Sequence, residues 1–172
     1  PMIKNEPLTL HRPNTLFLVE VATKYGQMDA PGVALLGQLS TIDLNAQDAR
    51  SSIIYAITGP YAKNQIHQIS RELLTDPITQ DYRLDQTTSS QSFLMGPHWR
   101  IEIWLKPTVS DPVGGNACHA ICQLGLPAPK SVHTGTAYRI LGKLNKNQAE
   151  RIAFELLANP LIHLFLVSEA HP

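Results

Sequence analysis

Two thiols and an imidazole fall within one short run, Cys118-His119-Ala120-Ile121-Cys122, and these side chains can bind zinc or act as nucleophile and base. Their spacing argues against both roles. On a helix Cys118 and Cys122 share a face while His119 points away from it, and no fourth ligand suggests itself. A nucleophilic thiol also needs a base or a helix start beside it to lower its pKa. Small thiols buried on a core face explain the pair more simply. Gly114 and Gly115 precede a helical stretch whose free N–H groups could hold an anion. Neither G-x-G-x-x-G nor G-x-x-x-x-G-K-S/T is present, so a turn that needs glycine accounts for them. His11, His67, His98, His119, His133, His163 and His171 are scattered, with no H-E-x-x-H and no serine in a G-x-S-x-G setting. Glu72 and Glu155 read as solvated carboxylates on helix faces. The sequence thus assigns no catalytic, cofactor-binding or metal residue. Its candidates are interface positions. Tyr55 and Tyr138 can pack a ring and still reach a partner with the hydroxyl, at an interface between halves or subunits, with simple core packing as the favoured alternative. Trp99 and Trp104 lie five apart in a strand and face opposite sides, one expected to be buried and the other to meet a partner.

The elements that carry these residues occur twice. Leu18-Val19-Glu20-Val21 has a counterpart in Arg100-Ile101-Glu102-Ile103, and Asp29-Ala30-Pro31-Gly32 in Asp111-Pro112-Val113-Gly114, both 82 residues on. Ile54-Tyr55-Ala56-Ile57-Thr58-Gly59 matches Ala137-Tyr138-Arg139-Ile140-Leu141-Gly142, and Glu72-Leu73-Leu74-Thr75-Asp76-Pro77-Ile78 matches Glu155-Leu156-Leu157-Ala158-Asn159-Pro160-Leu161, at a shift of 83. One inserted residue reconciles all four pairs, which implies a duplication.

Alternation predicts first strands over Leu16 to Ala22 and Trp99 to Leu105. Three- and four-residue apolar spacing predicts first helices over Pro31 to Leu39 and Gly115 to Leu124. Second strands follow over Ala49 to Thr58 and Val132 to Leu144. Second helices begin near Ala62 and Asn145, the latter a candidate N-cap, and stop before Asp76-Pro77 and Asn159-Pro160. Third strands run over Thr79 to Leu84 and Leu161 to Val167. The polar run Gln86 to Gln91 reads as a linker.

The chain has 172 residues, 14 Lys+Arg against 14 Asp+Glu, and 43% apolar residues. Zero net charge with interspersed signs leaves no electrostatic footprint for nucleic acid or an anionic membrane. No apolar run approaches the ~20 residues needed to cross a bilayer, and Pro1-Met2-Ile3-Lys4 leads into no signal core. Two cysteines at this spacing make no disulfide framework. A cytoplasmic location is expected. Charged residues are only 16% of the chain, so some neutral surface is available for burial against a partner.

Trp104-Leu105-Lys106-Pro107-Thr108-Val109-Ser110-Asp111-Pro112-Val113-Gly114 resembles the opening of the PurS subunit of phosphoribosylformylglycinamidine (FGAM) synthase, where a strand ends in Leu-Lys-Pro-Gly-Val and continues to Asp-Pro and a glycine. Tyr138 to Leu144 and Glu155 to Ile162 are similar to that family's second strand and to the Leu-Leu-Ala-Asn-Pro-Val-Ile end of its second helix. The first half departs more, with Lys24-Tyr25-Gly26-Gln27-Met28-Asp29 in place of the Lys-Pro-Gly-Val stretch. The tandem resembles the N-terminal region of the long single-chain synthase, where two PurS-like units replace a dimer.

This resemblance implies an α+β fold of two ferredoxin-like PurS-type β-α-β-α-β modules forming a pseudo-twofold dimer within one chain. The expected organisation is a loose segment 1–14, module 1 over 15–85, a linker over 86–97 and module 2 over 98–170. It implies a non-catalytic adaptor in de novo purine biosynthesis, within a C–N ligase that makes FGAM from FGAR, ATP and glutamine. The partners implied are the synthetase subunit PurL and the glutaminase subunit PurQ, whose ammonia transfer the adaptor aids; a second copy of the chain is a further candidate partner. No cofactor is expected in this chain, ATP and magnesium belonging to the synthetase. The alternative is an ACT-like pair of small-molecule sensor domains, which rests on fold analogy.

Overall fold

In the computed structural model, residues 12–84, 86 and 90–171 are described. Most of the expected loose segment 1–14, and residues 87–89 of the expected linker, lie outside them. Among the described residues the order is β1 (Thr15–Thr23), α1 (Ala30–Gln38), β2 (Asp48–Gly59), α2 (Lys63–Ile69), β3 (Gln80–Arg83), β4 (His98–Leu105), α3 (Pro112–Gln123), β5 (Ser131–Leu141), α4 (Lys146–Ile152) and β6 (His163–Ala170). A π-helical turn continues α2 over Ser70–Leu74 and α4 over Ala153–Leu157.

Local chemistry sets the helix starts. Asp29 and Asp111 are the N-caps of α1 and α3, their carboxylates accepting from the N–H groups of Gly32 and Gly114, with a proline in each first turn where a missing N–H costs nothing. α3 therefore starts at Pro112, three residues before the expected Gly115. Asn145 caps α4 and Gln148 returns a bond to its N–H. Ala62, before α2, has only the return bond, from its N–H to Gln65 at 2.7 Å.

The six strands form one antiparallel sheet in the order β3-β1-β2-β5-β4-β6. Its central seam pairs β2 with β5 from Asp48↔Leu141 to Thr58↔Ser131, with Ile53 opposite Thr136 at the middle. The fold is thus mixed α+β with helices on one face of an antiparallel sheet, compatible with the ferredoxin-like expectation.

The helices cross the seam. Ala117 and Ile121 of α3 pack with Val19, Val21, Tyr55, Ile57, Ile66 and Ile69. Leu35 of α1, with Leu39 just after it, packs with Ile101, Ile103, Ile140, Ile152 and Ala153. Each first helix thus lies on the strands and second helix of the other half of the chain.

Close helix–strand contact fixes glycine at one point in each first helix. A Cβ on Gly114 would stand 2.5 Å from the Val132 carbonyl oxygen, and one on Gly32 2.6 Å from that of Ala49. Gly114→Ala is expected to cost about 1–3 kcal/mol through the forced separation. Gly115→Ala, with nothing within 4 Å, is expected to be neutral or slightly stabilising because alanine favours helix. Thermal melts of the two variants side by side check this; equal midpoints would refute it.

Candidate functional site

On the helical face, two matched clusters flank the seam. Asp29 accepts from the Ser51 hydroxyl at 2.6 Å and Asp111 from the Thr134 hydroxyl at 2.8 Å, and each also takes the backbone N–H of the same strand residue. Burial works to raise the Asp111 carboxyl, but the Gly114 and Thr134 donors outweigh it and hold the group below its ordinary value. The tyrosines lie crosswise. Tyr55 on β2 is opposite Thr134, and Tyr138 on β5 is opposite Ser51. Burial, then the Asp111 charge, raises the Tyr55 phenol; burial, then Asp29, raises that of Tyr138. Tyr55 is buried and Tyr138 half-buried, each packing against side chains from both halves. Beside Tyr138, over Ile53, Thr134 and Thr136, opens a groove of about 370 Å³ that Tyr55 does not line.

The opposite face carries a charged cluster that the sequence reading missed. Arg50, Arg139 and Arg100 lie in one lateral row across β2, β5 and β4. All three are buried, as are Arg83, Glu20 and Glu102. Glu20 accepts from Arg83 Nη2 at 2.8 Å, from Arg100 Nη2, and from Arg139 Nη1 at 3.5 Å. Burial opposes its charge, yet the three guanidiniums together hold its carboxyl below the ordinary range. Burial pulls the Arg139 guanidinium down to about 9 against the support of Glu20, so it stays charged at neutral pH. Arg50 donates to the backbone oxygens of Ser92 and Thr23.

The cover comes from the segment expected to be linker. Ser92 and Phe93 are buried, and the Phe93 ring lies under Arg83 Cζ at 4.5 Å and Arg139 Cζ at 5.3 Å, a cation–π arrangement. Residues 92–94 are therefore a structural lid rather than a solvated spacer.

The tryptophans do face opposite sides, but neither is fully buried. Trp99 Nε1 donates to the Leu144 carbonyl at 2.9 Å. Trp104 lies over Gly135, where a Cβ would meet its ring at 2.8 Å. The expected burial of both thiols needs correction, since α3 turns Gly114, Ala117 and Ile121 inward. Cys118 is half-buried and Cys122 exposed. Burial raises the Cys118 thiol, the reverse of an activated nucleophile, and the His119 ring is engaged by Gln123. Among the described residues no group of three His, Cys, Asp or Glu side chains is placed to hold a metal ion. No helix among them is long and apolar enough to cross a membrane.

Exposed apolar side chains flank the last strand on both faces, Leu164 and Leu166 on the charged one and Phe165 with Phe154 on the helical one, with Leu161 in the turn before it. β6 is a sheet edge, so this surface offers both unpaired backbone groups and apolar area.

No curated protein matches the chain. Residues 98–169, which run from the first residue of β4 almost to the end of β6, match the family model PurS, described as phosphoribosylformylglycinamidine (FGAM) synthase. The match covers less than half of the chain, and it takes in Trp99, Trp104, Tyr138 and both flanks of the Asp111 cap. Over residues 98–169 the chain carries a PurS-like domain.

Proposed function

We propose that the chain is a tandem of two PurS-like modules that acts as a non-catalytic adaptor of FGAM synthase in purine biosynthesis, joining the synthetase PurL to the glutaminase PurQ. The family match over 98–169 carries the reading. The tandem is supported by the seam, where Ile53 faces Thr136, residues 83 apart, the same shift that relates the later sequence repeats. It is supported too by the paired Asp-x-x-Gly clusters at Asp29 and Asp111. The exposed apolar edge at β6 suits a protein whose work is to bind others.

Reconstitution tests it. The chain is mixed with synthetase and glutaminase polypeptides of the same source, and product is followed with glutamine or with ammonia as nitrogen donor. Omitting the chain is expected to lower the glutamine-dependent rate at least about tenfold, ~1.4 kcal/mol in barrier, while the ammonia-dependent rate is largely kept. Indifference of both rates, with no binding to either partner, would sink the adaptor reading. A second reading, an ACT-like sensor pair, has the 370 Å³ groove at the seam in its favour. It predicts a ligand-dependent rise in melting temperature without any partner, abolished by filling the groove with Thr136→Trp.

A further inference from the structure

The charged face of the sheet leaves donors unused. Like charges directly across strands repel, yet Arg50, Arg139 and Arg100 lie side by side. Glu20 and Glu102 are the carboxylates that meet this row. After those bonds, Nε and Nη1 of Arg100 and Nε2 of His98 have no hydrogen-bond partner, although the Arg100 side chain is 3% exposed and His98 6%. Unpaired buried polar groups are costly, and a native structure fills most of them. Both side chains line one cavity of about 190 Å³, together with Arg83 and Ser168. Ser168 is the neighbour of Arg100 on β6.

The chemistry of the unused atoms narrows the occupant. His98 Nδ1 donates to the Gly96 carbonyl at 2.8 Å, which leaves Nε2 of the neutral ring as an acceptor. Burial, with Arg139, Arg83 and Arg100 nearby, holds this ring below the ordinary histidine value despite the Gly96 bond. An occupant that reaches these atoms must accept from an arginine and also give a proton to an imidazole. A phosphoryl group does both, since its second ionisation lies near 6 and its proton can sit on its own oxygen or on Nε2. A carboxylate, ionised well below neutral pH, brings no such proton. Among the described residues the carboxylate at the rim is Glu169, an exposed side chain 3.9 Å from His171.

We propose that this cavity, formed by His98, Arg100, Arg83 and Ser168, is a binding site for a phosphoryl group, free or carried by a small phosphate monoester. The site draws Arg83 from the first half of the chain and His98, Arg100 and Ser168 from the second. The residues related to Arg100 and Arg139 by the sequence repeats are Leu18 and Ala56, so the site has no counterpart across the seam. It does not depend on the adaptor function.

Calorimetric titration of the whole chain with inorganic phosphate, and separately with ribose 5-phosphate, at ionic strength held constant with chloride, tests it. Saturable binding of at least one is expected, with a matching rise in melting temperature. Tighter binding of ribose 5-phosphate identifies an ester as the occupant; equal or tighter binding of phosphate identifies the free ion. Arg100→Met is expected to lose the response. Because that change also strips Glu20 of a partner, Ser168→Asp is the decisive variant. Its carboxylate would sit beside Arg100 and take the place of the anion, leaving the protein folded and at least as stable but unresponsive to both probes. No saturable response from the unaltered chain, or a response that Ser168→Asp retains in full, overturns the proposal.

Discussion

Glu20→Gln is expected to be among the most damaging single substitutions in this protein. Glu20 is 2% exposed and is the carboxylate shared by Arg83, Arg100 and Arg139. Glutamine keeps the shape but removes the charge, and three buried guanidiniums are left to repel one another. Removing one partner of a buried ion pair costs about 3–5 kcal/mol, because the other charge stays buried without compensation. For a chain of this size that is on the order of 10 °C in melting temperature. Glu102→Gln is the control. Glu102 touches only Arg100 of these, at 3.3 Å, and its loss is expected to cost clearly less. The pH dependence has a definite sign. The folded-state pKa of Glu20 lies below its ordinary value, so its contribution is complete above that value and is lost as pH falls through the depressed one. Acid unfolding of Glu20→Gln is therefore expected to be shallower than that of the parent. Chemical denaturation at neutral and acid pH checks both points. A variant within about 1 kcal/mol of the parent at neutral pH, the size of an ordinary surface pair, would show that the cluster is not held by this carboxylate.

This cluster also marks where the sequence stops being legible. Strand positions follow from alternation, and the helix ends from Asn145 and the two X-Pro steps, because those signals are local. Leu18-Val19-Glu20-Val21 and Arg100-Ile101-Glu102-Ile103 alternate apolar with charged residues, the usual pattern of a sheet with one face in water. What reverses that reading is Phe93, a residue in a stretch whose composition says linker, lying on the charged face. The only sequence signal was an apolar pair, Phe93-Leu94, next to a polar run. The interface tyrosines were legible as a matched pair, and the structure places them at the seam. Their crosswise relation to Asp111 and Asp29 was not, because it depends on register. Nor was the crossing of the helices, since an apolar stripe on Leu35 and Leu39 states that a core exists and not which half supplies it.

Residues 98–171 produced alone are not expected to be a folded monomer. In the whole chain Ile121 of α3 is buried against Val19, Val21 and Ile57, while Ile101 and Ile140 are covered by Leu35 and Leu39. Cutting the chain exposes Ile121 and uncovers the surface under the two leucines. Each fully buried side chain of this size is worth about 1.5–3 kcal/mol, so the combined loss rivals the ~5–15 kcal/mol that holds a typical domain together. The cut also strips β5 from Ser131 to Leu141 of its partner, and an unpaired strand of that length seeks another edge. The fragment is expected to fold only as a dimer, β5 against β5 about Thr136, with Tyr138 of each copy opposite Thr134 of the other and the two α3 helices exchanged. Its melting temperature should rise with protein concentration, while that of the intact chain should not if the tandem already supplies both halves of the seam. The fragment dimer lacks Glu20, so Arg100 keeps only Glu102 and Arg139 loses its carboxylate, and the dimer should melt below the intact chain even at high concentration. Sedimentation equilibrium with circular dichroism across a concentration series measures this. A fragment that is monomeric and as cooperatively folded as the parent would refute both the crossing of the helices and the tandem reading built on it.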